Sequence, residues 1–284
     1  MSKFVKPKGR TPQVIKALYD YGPLDVEVLT NILEPEIKMR RTQDCLYRLV
    51  NRGLVIRCNK IQNTFAKNYF QLCASKVAKI EISKILNCDQ KDLNIPNFRA
   101  HDIEHSIACA YWSNYFEKHF PKAKSIRDFH ISSDSKIMDH LMMNQDVEFY
   151  PDITVSFKSE TTNDFITIAV EIEKTPKTRK RIFHKLNKFS TRSYVDGVIY
   201  ICPNHALIDL VGGVYSDRIK TTARRIRQYG EYFLMFTNSF TPSIDANVKM
   251  FSSTGQNINL QNWINILETN LWQKRRNEMF ALQR

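Results

Sequence analysis

The sequence predicts a mixed α/β (α+β) protein: a small helical unit closed by a β-hairpin, then a larger domain built on a mixed sheet. Three observations carry this prediction. The first 75 residues hold three short amphipathic helical patterns and then two strand patterns around a polar turn. From about residue 150 the chain alternates as strands and then switches to helix–strand alternation. The positive charge is split between the two ends of the chain, as if two separate basic surfaces flank an acidic middle.

The chain has 284 residues, 42 Lys and Arg against 29 Asp and Glu, and a formal net charge of +13. Hydrophobic residues make up 43% and aromatics 11%, which is too apolar for a disordered chain. This length favours two domains over one. No apolar run reaches the ~18–20 residues of a membrane-spanning helix. The N-terminal residues lack the apolar stretch of a signal peptide. Six cysteines are scattered without a CxxC pair, so a zinc ribbon or disulfide scaffold is disfavoured and a cytoplasmic location is expected. The eight glycines form no phosphate-cradling loop, which argues against a P-loop or dinucleotide enzyme. The surplus charge calls for a polyanion, most simply nucleic acid.

Residues 1–75 carry 13 basic and 6 acidic side chains. Thr11-Pro12 reads as a helix start, Val14, Ile15, Leu18 and Tyr21 as its apolar face, and Gly22-Pro23 as its stop. A second helix is expected over Leu24–Leu33 and a third over Glu36–Asn51, ended by Arg52-Gly53. Leu54 to Arg57 and Tyr69 to Leu72 read as a hairpin. Three short helices and a hairpin resemble a winged helix-turn-helix, which implies DNA binding. The third helix then presents Lys38, Arg40, Arg41, Gln43, Asp44 and Arg48, and the wing carries Lys60 and Lys67. Arg and Gln pair bidentately with guanine and adenine edges. A winged helix used only for protein contacts is the alternative.

A further helix is expected over 74–90, a polar linker over 87–97, and a long helix from Arg99 to His119. That helix opens with His101, Asp102, Glu104 and His105. Two histidines at i and i+4 raise a zinc protease, but the glutamate that should follow the first histidine is Asp102. Glu104 or His105 remain as auxiliaries to a metal site built elsewhere.

Phe149 to Phe157 alternates as a strand containing Pro151-Asp152, and Phe165 to Lys174 is a second strand ending in Glu171-Ile172-Glu173. Paired as a hairpin, they bring Asp152 beside Glu171, with Glu171 and Glu173 on one face. Three converging carboxylates repel unless a divalent cation sits among them. The alternative is strand-end acids in surface ion pairs. A basic helix follows over 175–194, with Lys177, Arg179, Lys180, Arg181, Lys185, Lys188 and Arg192. A strand at 197–202, a helix around 216–229 and a strand at 232–236 come next.

This arrangement resembles the PD-(D/E)xK nuclease superfamily, whose signature is Pro-Asp on one strand and an acid, any residue and Lys on the next. Here Glu173 stands where the lysine is expected, and Lys174 points to the opposite face. The resemblance implies Mg²⁺ or Mn²⁺ at Asp152, Glu171 and Glu173, with Lys185 as the basic group supplied by the helix.

A winged helix before such a core, with Tyr-Pro-Asp, Val-Glu-Ile-Glu-Lys-Thr and a basic helix, is similar to the replication-relaxation proteins and the MOBC class of plasmid mobilisation relaxases. That resemblance implies nicking of double-stranded DNA at a plasmid transfer origin, an accessory protein of the mobilisation machinery as partner, and a tyrosine in strand transfer. Tyr194 is the first choice, with Tyr150, Tyr200 and Tyr215 also open. The expected division is 1–75 winged helix, 76–98 helix and linker, 99–240 nuclease-like domain and 241–284 C-terminal helical extension. Two readings stay open. One is a metal-dependent endonuclease or relaxase, with Lys177 and Arg181 among the backbone clamps. The other is a catalytically inactive DNA-binding regulator.

Overall fold

The computed structural model describes residues 10–33, 39–58, 68–95, 100–119, 126–133, 151–159, 163, 165–190, 195–229, 233–238, 248–252 and 257–269. The fold is mixed α/β and divides into two compact units, Met1–Asn114 and Tyr115–Arg284.

In the first unit, helix α1 (Arg10–Tyr21) buries Val14, Ile15, Ala17 and Leu18 on one face. It stops because Gly22 takes a left-handed φ of 80° and donates its N–H to the Leu18 carbonyl at 3.1 Å. The expected second helix loses its first two residues, since Leu24–Asp25 form strand β1. Helix α2 (Val26–Leu33) then starts on Asp25, whose Oδ1 accepts from the Val28 N–H at 2.8 Å. Helix α3 (Met39–Asn51) buries Thr42, Cys45, Leu46 and Leu49, packs Val50 against the same core and exposes the rest. Strands β2 (Val55–Cys58) and β3 (Tyr69–Leu72) form the expected antiparallel hairpin, and β1 adds to it in the order β1-β3-β2.

Helix α4 (Lys76–Leu86) is capped by Ser75, whose hydroxyl accepts from the Ala78 N–H at 3.2 Å. Its Ala78 and Ile82 join the core formed by α1, α2, α3 and the hairpin. The first unit therefore extends beyond residue 75, through the stretch read as helix and linker. Helix α5 (Ala100–His119) packs Ile103 and Ile107 on Tyr69, and the division between the units falls within it.

The second unit is a seven-stranded mixed sheet, β4 (Ile126–Ser133), β5 (Ile153–Ser159), β6 (Phe165–Ile172), β7 (Gly197–Ile201), β8 (Phe233–Thr237), β9 (Lys249–Ser252) and β10 (Asn257–Asn259), in spatial order β10-β9-β8-β7-β6-β5-β4. Strands β6, β7 and β8 are parallel, and the flanking pairs are antiparallel. Helices α6 (Arg179–Ser190) and α7 (His205–Tyr229) make the two crossovers. Both cover the sheet face that carries Ala169, Val198, Tyr200 and Phe236.

Helix α7 begins well before the expected Ser216. The Asn204 side chain caps it by accepting from the Leu207 N–H at 3.0 Å, and Leu207, Val211 and Val214 anchor the added turns. The stretch expected as a C-terminal helical extension contains strands β9 and β10, with Val248 and Met250 buried. A last helix, α8 (residues 260–269), buries Trp263, Ile264 and Leu267. Trp263 and Leu267 lie against Gly197, on the sheet face opposite α6 and α7. The C-terminal helix is thus part of this core. Among the described residues no helix is long and apolar enough to cross a membrane.

Candidate functional site

The β5–β6 hairpin has the expected antiparallel register, with Ile153 opposite Val170 and Thr154 opposite Ala169. One step further, Asp152 comes level with Glu171. Asp152 Oδ2 accepts from the Ile172 N–H at 2.7 Å, which ties the Pro-Asp segment to the end of β6. Glu171 is opposite Tyr200 of β7, and the Glu173 N–H extends that ladder to the Ile201 carbonyl at 2.9 Å. The acids therefore gather at the carboxyl ends of parallel strands, where open α/β sheets place their ligands.

Glu171 is fully buried and Glu173 nearly so, while Asp152 is half-buried. Both glutamates turn to the face covered by α6. That helix is started by Thr178, whose Oγ1 accepts from the Arg181 N–H at 3.3 Å. Ile182, Leu186 and Phe189 seat α6 on the sheet. This seating turns Lys185 inward, where its Nζ forms an ion pair with Glu171 Oε2. Glu171 Oε1 has no hydrogen-bond partner among the described residues. Lys177 reaches Glu173 at 3.4 Å.

The electrostatics follow from burial. Loss of water pushes the Glu171 pKa well above the ordinary carboxylate range; Lys185 pulls it down, and Asp152 and Glu173 push it further up. Burial also works against the Lys185 charge, but Glu171, Asp152 and Glu173 outweigh it and raise its pKa above the usual lysine value. Cys202, at the end of β7, is pushed up to about 12 by burial and by the charge of Glu173.

Among the described residues no group of three or more His, Cys, Asp and Glu side chains is placed to hold a metal ion. The carboxylates bring oxygen donors alone, the set that suits Mg²⁺ and Mn²⁺ rather than zinc. Glu104 and His105 belong to the first unit, where His105 Nδ1 is 3.7 Å from Cys109 Sγ, whereas the three acids belong to the second. Of the tyrosines, Tyr200 and Tyr215 are buried, at 1% and 7% exposure, whereas Tyr150 and Tyr194 lie outside the described residues. Arg181 is exposed on α6.

On the first unit, Arg40, Arg41, Gln43, Asp44 and Arg48 are all exposed on α3. Lys38, Lys60 and Lys67 lie outside the described residues. Two side chains that the sequence reading passed over join this face. Arg57 of β2 lies over the Tyr47 ring of α3, 5.8 Å from its centroid, and donates to Asn68 Oδ1 at 3.0 Å. Period 2 puts Arg57 on the same face of β2 as the buried Val55, so alternation in the sequence does not single it out. Nothing in the sequence marks Tyr47 as its partner.

Compared with known proteins, the chain matches no family model, no curated protein and no solved structure.

Proposed function

We propose that the protein binds double-stranded DNA through its first unit, acting as a winged helix, and cuts one strand at the Asp152–Glu171–Lys185 cluster of its second unit. The activity would be that of a metal-dependent endonuclease or a plasmid mobilisation relaxase. One observation carries this reading: two carboxylates from adjacent strands and an ammonium from the following helix meet where the parallel strands of the mixed sheet end.

The donor set fits a hard cation. Glu171 Oε1 is a buried oxygen without a hydrogen bond among the described residues, and Mg²⁺ is commonly held by one or two carboxylates plus substrate phosphate. Asp152 and Glu171 would hold Mg²⁺ or Mn²⁺, with Glu173 beside them. A bound ion supplies charge stabilisation at the scissile phosphate and a lowered pKa for water.

The chain's own groups do the rest. Asp152 is oriented by the Ile172 N–H, which holds its carboxylate at the end of β6. Lys185 supplies from α6 the positive charge that Glu173 displaces from β6, and it can donate to a phosphoryl oxygen once a cation neutralises Glu171. Lys177 and Arg181 flank the site and favour the DNA backbone. Attack by water makes the protein an endonuclease. Attack by a tyrosine makes it a relaxase, and the burial of Tyr200 and Tyr215 shifts that role to Tyr194 or Tyr150.

A second reading is favoured by the ion pair itself. Lys185 already compensates Glu171, so the second unit is also suited to be an inactive scaffold for a DNA-binding regulator. Nicking of supercoiled plasmid with and without Mn²⁺ separates the two. Nicking that is lost in Asp152→Ala and in Lys185→Met supports the enzyme. Intact plasmid together with tight, site-specific binding supports the scaffold.

A further inference from the structure

The basic side chains with described ion-pair partners mostly compensate acids of the same unit. In the first unit Lys16 pairs with Asp20 and Arg52 with Glu81; in the second Lys177 pairs with Glu173, Arg179 with Asp217 and Lys185 with Glu171. Arg57 is different. It is exposed, yet it is held on two sides by neutral groups, the Asn68 side-chain carbonyl and the Tyr47 ring. No acid pairs with it among the described residues.

The local fold builds this cradle. Arg57 is opposite Phe70 across the β2–β3 ladder, and the Phe70 ring meets Tyr47 edge-on with centroids 6.4 Å apart. Phe70 is buried at 1% exposure, so the base of the cradle is rigid. Tyr47 follows Gln43 by one helical turn, which sets the guanidinium at the border of the α3 face that carries Arg40, Arg41 and Gln43. An arginine with a restricted rotamer and an uncompensated charge loses little entropy on meeting an anion, and its remaining N–H groups suit phosphate oxygens.

We infer that Arg57 is a pre-oriented phosphate clamp, which grips the backbone of the DNA duplex beside the α3 face while Tyr47 holds the guanidinium in place. This rests on the DNA-binding reading of the first unit. A phosphate contact carries no sequence information, so the clamp strengthens binding to any duplex equally.

The test is fluorescence anisotropy of the full chain with two duplexes of unrelated sequence, titrated at several KCl concentrations. Each lost phosphate contact lowers the slope of log K against log salt by about 0.9. Arg57→Ala is expected to lose that increment and weaken both duplexes alike. Tyr47→Ala is expected to keep the slope and weaken binding, and Tyr47→Phe to bind as the parent does. Arg52→Ala, whose charge Glu81 already compensates, serves as the control with an unchanged slope. Parent-like affinity and slope in Arg57→Ala would overturn the clamp while leaving DNA binding intact. Absence of salt-dependent binding by the parent chain would overturn the DNA reading and the clamp with it.

Discussion

Lys185 on α6 and Glu171 on β6 form an ion pair in which the carboxylate is fully buried. Removing one partner of a buried pair leaves an uncompensated charge, which typically costs about 3–5 kcal/mol. Lys185→Met and Glu171→Gln are each expected to lose stability on that scale in urea unfolding. The double variant should lose less than the sum of the two. Additive losses would mean that the two groups do not interact in solution.

The same pair bears on cation binding. Calorimetric titration of the full chain with Mn²⁺ is expected to show a saturable site that disappears in Asp152→Ala and Glu171→Ala. If the site is completed by phosphate, the same loss appears only when duplex DNA is present. Mn²⁺ binding that survives both substitutions would place the ion elsewhere.

Gly197 opens β7 directly under α8. A Cβ added there would sit 2.9 Å from Trp263 Cη2 and 3.1 Å from Leu267 Cδ1. Gly197→Ala is therefore expected to destabilise the protein by about 1–3 kcal/mol through overpacking. Chemical denaturation followed by tryptophan fluorescence measures this, and a neutral result would show that α8 moves aside without cost.

Asp25 joins two parts of the first unit. It caps α2 through the Val28 N–H at 2.8 Å, and it accepts a hydrogen bond from the Tyr111 hydroxyl of α5. Tyr111→Phe is expected to cost about 1.5–3 kcal/mol, the range for a hydrogen bond to a charged group.

That bond also predicts a pH dependence. Burial first, and then the charge of Asp25, pushes the Tyr111 pKa above its ordinary value of about 10. The raised folded-state pKa makes this contribution complete below about pH 10 and lets it drain away as the pH rises toward the folded-state value. The stability gap between the parent and Tyr111→Phe should stay constant from about pH 7 to 9.5 and shrink above 10. A gap that widens at high pH would contradict the assignment.

The sequence alone was enough for much of this. Helical spacing located α1, α3 and α4, alternation located the two hairpins, and Pro151-Asp152 with Glu171-Ile172-Glu173 marked the strand ends where acids gather. These are local signals, because apolar periodicity and capping chemistry act over a few residues. The edge strands β4 and β10 and the short strand β9 beside β10 were not legible, and neither was the early start of α7. Short edge strands depend on a neighbour for their hydrogen bonds, and Asn204 looks like any turn residue until Leu207 and Val211 find their core. Only the tertiary structure decided that Glu171 is roofed by α6, that Lys185 meets it there, and that Tyr47 and Asn68 hold Arg57. Each of these meetings joins side chains on separate elements, and their distances are set by how helices and strands pack, which no local pattern records.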